Sequence, residues 1–376
     1  MQRRSLFRVS ASLALLGSGL GLAACGGGGG VDEPAAEPAP APPPPPPAPV
    51  VRTFAYVANL DSADISIYEV EADGALKPVG SAVPAGAGTS SIAVHPSGRF
   101  AYATNSEEDF VSVYDVDPET GMLTPRDPFA GGHRTLAVRV HPSGEFAYLS
   151  SSDDLTFSVC SVHPDTGALT SVQEIDLGTE RDAVDIKLDP AGGFVYVAGG
   201  GGSALSYAVE SDGQLRLVST VDAGVAPRAL AVAPSGKFVY VANGGGTISR
   251  HGVNRDTGEL GVASSLDVGT EFTQIVVDAS GRFAYVATNE SFPRLMSFTI
   301  DAGTGALAAA GEIGSPRGVL SSIAISPSGR FIYGSHEGGT LSAFTADHET
   351  GALALLASSI SAGTTPVGIA VVDLAH

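Results

Sequence analysis

The sequence predicts an all-β fold: a seven-bladed β-propeller of four-stranded antiparallel blades, with the ring closed by the C-terminal strand joining the N-terminal blade. Three observations predict it. A tyrosine within an apolar run returns at Tyr56, Tyr102, Tyr148, Tyr196, Tyr240, Tyr285 and Tyr333. A second marker, Gly-x-Leu, begins at Gly74, Gly121, Gly167, Gly213, Gly258, Gly305 and Gly351. Both markers count seven at a spacing of roughly 45 residues, the length of one four-stranded blade. No helical periodicity interrupts them.

The chain divides into three parts. Residues 1–24 read as a secretory leader: Arg3, Arg4 and Arg8 supply the charge, and VSASLALLGSGLGLAA is an apolar stretch too short for a comfortable membrane span. The leader ends in LAAC, which resembles the lipobox of bacterial lipoproteins. That resemblance implies cleavage before Cys25, acylation of Cys25 and a lipid anchor in the cell envelope. Gly26 in the next position points to the outer membrane, with the protein facing the periplasm or the cell surface. Residues 25–52 form a tether, in which a glycine run gives a swivel and PAPAPPPPPPAP is held extended because proline fixes φ and cannot donate a hydrogen bond. Residues 53–376 carry the repeat.

Each repeat parses into strands. In the second, SIAVH is an inner strand and PSG a turn, in which proline presets φ and glycine closes the reversal. FAYAT follows as the second strand and VSVYDV alternates as the third. DPETG makes another tight turn, and MLTPRDPF is the outermost strand. His95 and His141 share a turn position with Asp189, Ala233, Asp278 and Ser326, so they are expected to cap turns. The first tyrosine unit has no strand before it, whereas PVGIAVVDLAH at the C-terminus matches TSSIAVHP. The C-terminal strand is therefore expected to complete the first blade and remove the open edges of the ring. Inner strands carry branched residues on one side, such as Ile92, Val138, Ile186 and Ile369, and mostly small ones on the other. Large against small is what interdigitating blades need.

Composition narrows the function. Forty acidic side chains against twenty basic ones give a net charge of −20, which repels phosphate backbones and excludes a nucleic-acid partner. Cys160, besides Cys25 the sole cysteine, sits where other repeats place Tyr68, Tyr114, His251, Phe298 and Phe344, and reads as a core thiol. Glycine runs follow strands with no helix behind them, so they are not phosphate loops, and no cofactor is expected. The acidic loops NSEEDF and SSSDDL lack a spaced ligand set, and no metal is expected. One departure stands out. The small-residue side of two adjacent inner strands is broken by Arg139 in LAVRVHP and by Asp185 and Lys187 in VDIKLDP. Either these form a buried ion pair, or they form a ligand site in the channel.

The motifs AYVAN, AYATN and VYVAN, with PSG turns and D-x-x-TG-x-L, resemble the seven-bladed lactonase family, which includes 6-phosphogluconolactonases, and the related YVTN propellers of cell surfaces. The resemblance covers residues 53–376. Members with enzymatic activity carry Pro-Arg-His at the start of an inner strand and Asn-Glu after the tyrosine of the next. Here PRALAVAPSGKFVYVANGG supplies Pro227, Arg228 and Asn243, but Ala229 replaces the histidine and Gly244 the glutamate. Glu290 in YVATNESF has a comparable place in another repeat, with no Pro-Arg-His before it. The resemblance implies Arg228 as the catalytic contact if the protein hydrolyses a lactone. Arg139, Asp185, Lys187, Arg228 and Asn243 are the candidate ligand-binding residues. Three functions follow: a binding module for a small anionic or sugar ligand or an envelope protein, a lactone hydrolase, and an architectural surface protein.

Overall fold

The computed structural model describes residues 49–131, 134–151, 156–178 and 183–375. The leader, Cys25 and most of the tether lie outside the described residues. So do Ser152–Leu155 of the second acidic loop.

Seven antiparallel sheets follow one another around a ring, each running from an inner strand outward. Blade 3 shows the plain pattern: Thr135–Val140, Phe146–Ser151, Thr156–Val162 and Leu169–Asp176 pair in sequence order. No α-helix occurs among the described residues. Ring closure is as expected. The strand Pro366–Ala375 is the innermost of blade 1 and pairs with Val51–Asn59, with Ile369 opposite Val57 and Val371 opposite Ala55. In blades 1 and 2 the single outer strand expected from the sequence is broken into two short pieces, Leu76–Pro78 with Val83–Pro84, and Leu123–Pro125 with Phe129–Ala130. Pro78, Pro125 and Pro128 cannot donate to the ladder, which interrupts pairing and confines these residues to the edge.

The core lies between blades. One cluster joins Phe54 and Tyr56 of blade 1 to Ile92, Ala101 and Ala103 of blade 2, and others span later pairs of blades in the same way. The two sequence markers meet at these seams. Tyr56, Tyr102, Tyr240 and Tyr333 are buried, and their hydroxyls donate to the carbonyls of Gly121, Gly167, Gly305 and Gly74 at 2.8–2.9 Å. The buried hydroxyls of Tyr148 and Tyr196 have no partner among the described residues. Each of the four bonded tyrosines thus reaches the Gly-x-Leu turn of the following blade, with Tyr333 reaching from the last blade to the first. That turn needs glycine twice over. Gly121 has φ +71°, and a Cβ there would lie 2.4 Å from the Phe54 ring of the preceding blade. The same approach recurs at all seven marker glycines, from Gly74 on Phe331 to Gly351 on Phe283.

The histidines cap turns, and do more. His95 Nδ1 accepts from the Ser97 N–H, which leaves the proton on Nε2 to donate to the Gly144 carbonyl of the next blade at 2.8 Å. His141 does the same toward Gly192. Cys160 is fully buried, as expected of a core thiol, and burial pushes its pKa up to about 12.

Candidate functional site

The inner strands enclose a central cavity of about 490 Å³. A register shift near the start of each pairing decides which side chains enter it. In five blades the inner strand bulges between its first and third residues, as between Pro227 and Ala229. A bulge leaves one residue unpaired and re-aims its side chain. Arg228 is that residue in blade 5. It lines the cavity mouth, exposed, with no hydrogen-bond or ion-pair partner among the described residues.

Deeper in, the three groups that break the small-residue side come together. Asp185 is 4% exposed and accepts five hydrogen bonds. Lys187 Nζ lies 2.6 Å from both carboxylate oxygens, and Arg139 Nη2 lies 3.1 Å from Oδ1. The Ile186 N–H donates to Oδ1 at 2.9 Å, and the Leu230 N–H of blade 5 donates to Oδ2 at 3.1 Å. One carboxylate therefore ties the inner strands of blades 3, 4 and 5. Arg139 also donates to Ser91 Oγ of blade 2 at 3.3 Å. Burial alone would raise the Asp185 carboxyl, but the charges of Lys187 and Arg139 and the donors around it hold it below the usual carboxylate range. Burial, reinforced by the Arg139 charge, pushes the Lys187 ammonium down to about 8 against the pull of Asp185.

The cavity lining thus carries three cations, Arg139, Lys187 and Arg228, against one carboxylate, in a chain whose net charge is −20. Among the described lining residues there is no histidine and no glutamate. Ala229 is buried, and a Cβ on Gly244 would stand 3.3 Å from Arg228 Nε. A glutamate at position 244 would start beside the guanidinium; glycine leaves that cation without a partner.

Two further positions differ from the sequence reading. Asn243 does not line the cavity. It is fully buried, and its amide nitrogen donates to the Ala223 carbonyl at 2.8 Å and to Thr247 Oγ1 at 3.2 Å, so it latches the loop ahead of its blade's inner strand. Asn105 has the same place in blade 2, where its Oδ1 accepts from the Gly86 N–H. Glu290 is paired with Arg294 at 2.8 Å and with Thr288 Oγ1, away from the lining. In the first acidic loop, Glu108 accepts from the Ala87 N–H at 3.0 Å. Sequence reasoning missed Gln274, which lines the cavity in blade 6 at the strand position that Asp185 holds in blade 4. Aligning FTQIVV with AVDIKL carries that signal.

A family profile described as the seven-bladed β-propeller lactonase matches residues 50–139, 131–273 and 262–371. The chain belongs to that lactonase family. No curated protein matches it. Among solved structures, a candidate 6-phosphogluconolactonase from Bacteroides uniformis superposes with a TM-score of 0.76 at 18% identity, covering 85% of this chain and 99% of that one. The periplasmic gluconolactonase PpgL of Pseudomonas aeruginosa superposes with a TM-score of 0.74 at 18% identity, covering 86% and 100%. A further candidate 6-phosphogluconolactonase, from Bacteroides fragilis, gives 0.74 at 19% identity, with 85% and 98% covered. At these identities the likeness is one of fold.

Proposed function

We propose that this lactonase-family propeller is a lipid-anchored envelope protein that binds a small organic anion in its channel and does not hydrolyse it. The observation that carries this reading is the cavity: three cations against one carboxylate, inside a strongly acidic protein. Acidic surroundings exclude anions in general, whereas a low-dielectric cleft lined by one sign of charge focuses potential. Guanidinium groups pair with carboxylates through two parallel hydrogen bonds, and Arg228 is unpaired at the mouth. The lipobox-like LAAC supports anchoring through Cys25, with the proline-rich tether holding the ring off the membrane.

Lactone hydrolysis is the second reading, favoured by the family and by the names of the structural relatives. It needs a base to activate water and a donor for the developing oxyanion. Arg228 could donate. The sole carboxylate of the described lining, Asp185, already accepts five hydrogen bonds and is held strongly ionised, which makes it a poor proton acceptor. Loss of a general base typically costs ~10²–10⁴ in rate. The purified protein is therefore expected to be stabilised thermally by gluconate and not by glucose. It is also expected to leave 6-phosphogluconolactone opening at its spontaneous rate. Turnover of several per second that vanished in Arg228→Ala would make the protein an enzyme and overturn the binding reading.

A further inference from the structure

The cavity charges lie at two depths. Arg228 is the second residue of its inner strand, Pro227–Val232. Arg139 and Lys187 are the fifth residues of theirs, Thr135–Val140 and Ala183–Leu188. Three residues of extended chain separate these levels by ~10 Å along the channel. At the upper level stands one unpaired guanidinium. At the lower level two cations share the single carboxylate of Asp185, so that level also carries a net positive charge. All of this charge sits on blades 3, 4 and 5.

Blades 6 and 7 present something different. Gln274 and Ser321 line the same cavity, and neither side chain has a hydrogen-bond partner among the described residues. The Ser321 hydroxyl oxygen is buried. A buried polar atom left unpaired costs free energy unless a ligand or water completes it. The ring therefore places cations on one arc and unpartnered neutral hydrogen-bonding groups on another.

We propose that the channel ligand is an open-chain sugar diacid, with one terminal carboxylate on Arg228 at the mouth and the other on Arg139 and Lys187 below. Its hydroxyls face Gln274, and rotation of the Ser321 side chain brings that hydroxyl to them as well. This deepens the anion-binding reading and rests on it. A monoacid can satisfy one level at a time; a diacid of suitable length engages both, and neutral polar groups suit the hydroxylated carbons between.

Gluconate and glucarate form a matched pair of probes, sharing the six-carbon polyol chain and differing in whether the far end is an alcohol or a carboxylate. Titration calorimetry on the full purified chain at fixed ionic strength should show glucarate binding tighter than gluconate by about tenfold or more, the value of one added charge-assisted hydrogen-bonded contact. In Arg228→Ala the difference should collapse. That side chain is exposed and unpartnered, so the variant should keep the wild-type melting temperature, which is measured alongside. A second variant, Gln274→Ala, should weaken glucarate binding more than adipate binding, because adipate has no hydroxyls. Equal wild-type affinity for gluconate and glucarate would overturn the two-ended ligand and leave the anion site standing. Binding of neither would overturn both.

Discussion

Asp185→Asn is the sharpest perturbation available, because one carboxylate joins three blades. The substitution keeps the shape and removes the charge. Of the five hydrogen bonds accepted by Asp185, the amide can keep those reaching its one oxygen; its NH2 group then faces donors. Breaking a buried pair by removing one partner costs ~3–5 kcal/mol. The side chains of Arg139 and Lys187 are 25% and 23% exposed, so water recovers part of their solvation. The expectation is therefore the lower end, about 3 kcal/mol, or roughly 4–5 °C in melting temperature for a domain of this size. The pH dependence has a definite sign. The folded pKa of Asp185 is depressed, so its contribution is fully present above the unfolded value of 3.8 and is lost as pH falls through the lower folded value. Wild type and variant should differ most near neutrality and converge in acid. Calorimetric melting across pH measures this, and ligand titration adds an independent sign: neutralising Asp185 should strengthen anion binding. A variant that melts with wild type and binds anions no better would refute the cluster as both structural tie and electrostatic site.

Other outcomes follow from the same structure. Deleting residues 367–376 removes Ile369 and Val371 from the first blade and exposes two strand edges; destabilisation by several kcal/mol is expected, since a single large-to-alanine core truncation costs ~2–5. An unchanged melting temperature would show closure by another route. Because the folded pKa of Lys187 is lowered from 10.5 to about 8, the channel loses a cation as pH rises through about 8, and anion affinity should fall there. Between about 8 and 10.5 the unfolded chain holds a proton that the folded one lacks, so stability should rise with pH across that window once other groups are subtracted. Lys187→Gln should flatten the affinity profile. Finally, Cys25→Ala should move the protein from the detergent phase to the aqueous phase; equal partitioning of mutant and wild type would remove the lipid anchor from the account.

The ring was legible because its two markers recur in register and each has a physical job at a seam. Tyr56 and Gly121 are far apart in sequence, yet their spacing repeats because each blade must meet the next in the same way. Closure was legible from a strand missing at one end and supplied at the other. The site was only partly so. That Arg139, Asp185 and Lys187 share a channel follows from repeat alignment. That Asp185 also takes the Leu230 N–H does not, because it depends on how far adjacent inner strands are displaced. The inward aim of Arg228 comes from a bulge, and a bulge is a property of strand pairing that alternation along one strand cannot reveal. Asn243 entered the candidate set through the family's Asn-Glu pattern, and a motif match cannot show that the loop ahead of the inner strand folds over the side chain and buries it away from the cavity lining.

The tyrosine contact between blades has a direction. Where the bond forms it runs from a blade to its successor, so blades 1, 2 and 5, finished at their own C-terminal ends, still have a tyrosine hydroxyl waiting for a glycine carbonyl some 65 residues further on. For a chain emerging from its N-terminus, every blade is completed by what comes after it, and blade 1 is completed last, when Pro366–Ala375 arrives. Gly74 waits longest, for a tyrosine 259 residues away. No arc of fewer than seven blades can satisfy both of its ends. Closure of the ring therefore depends on the final strand, and a chain lacking that strand is an open arc with exposed edges at either side.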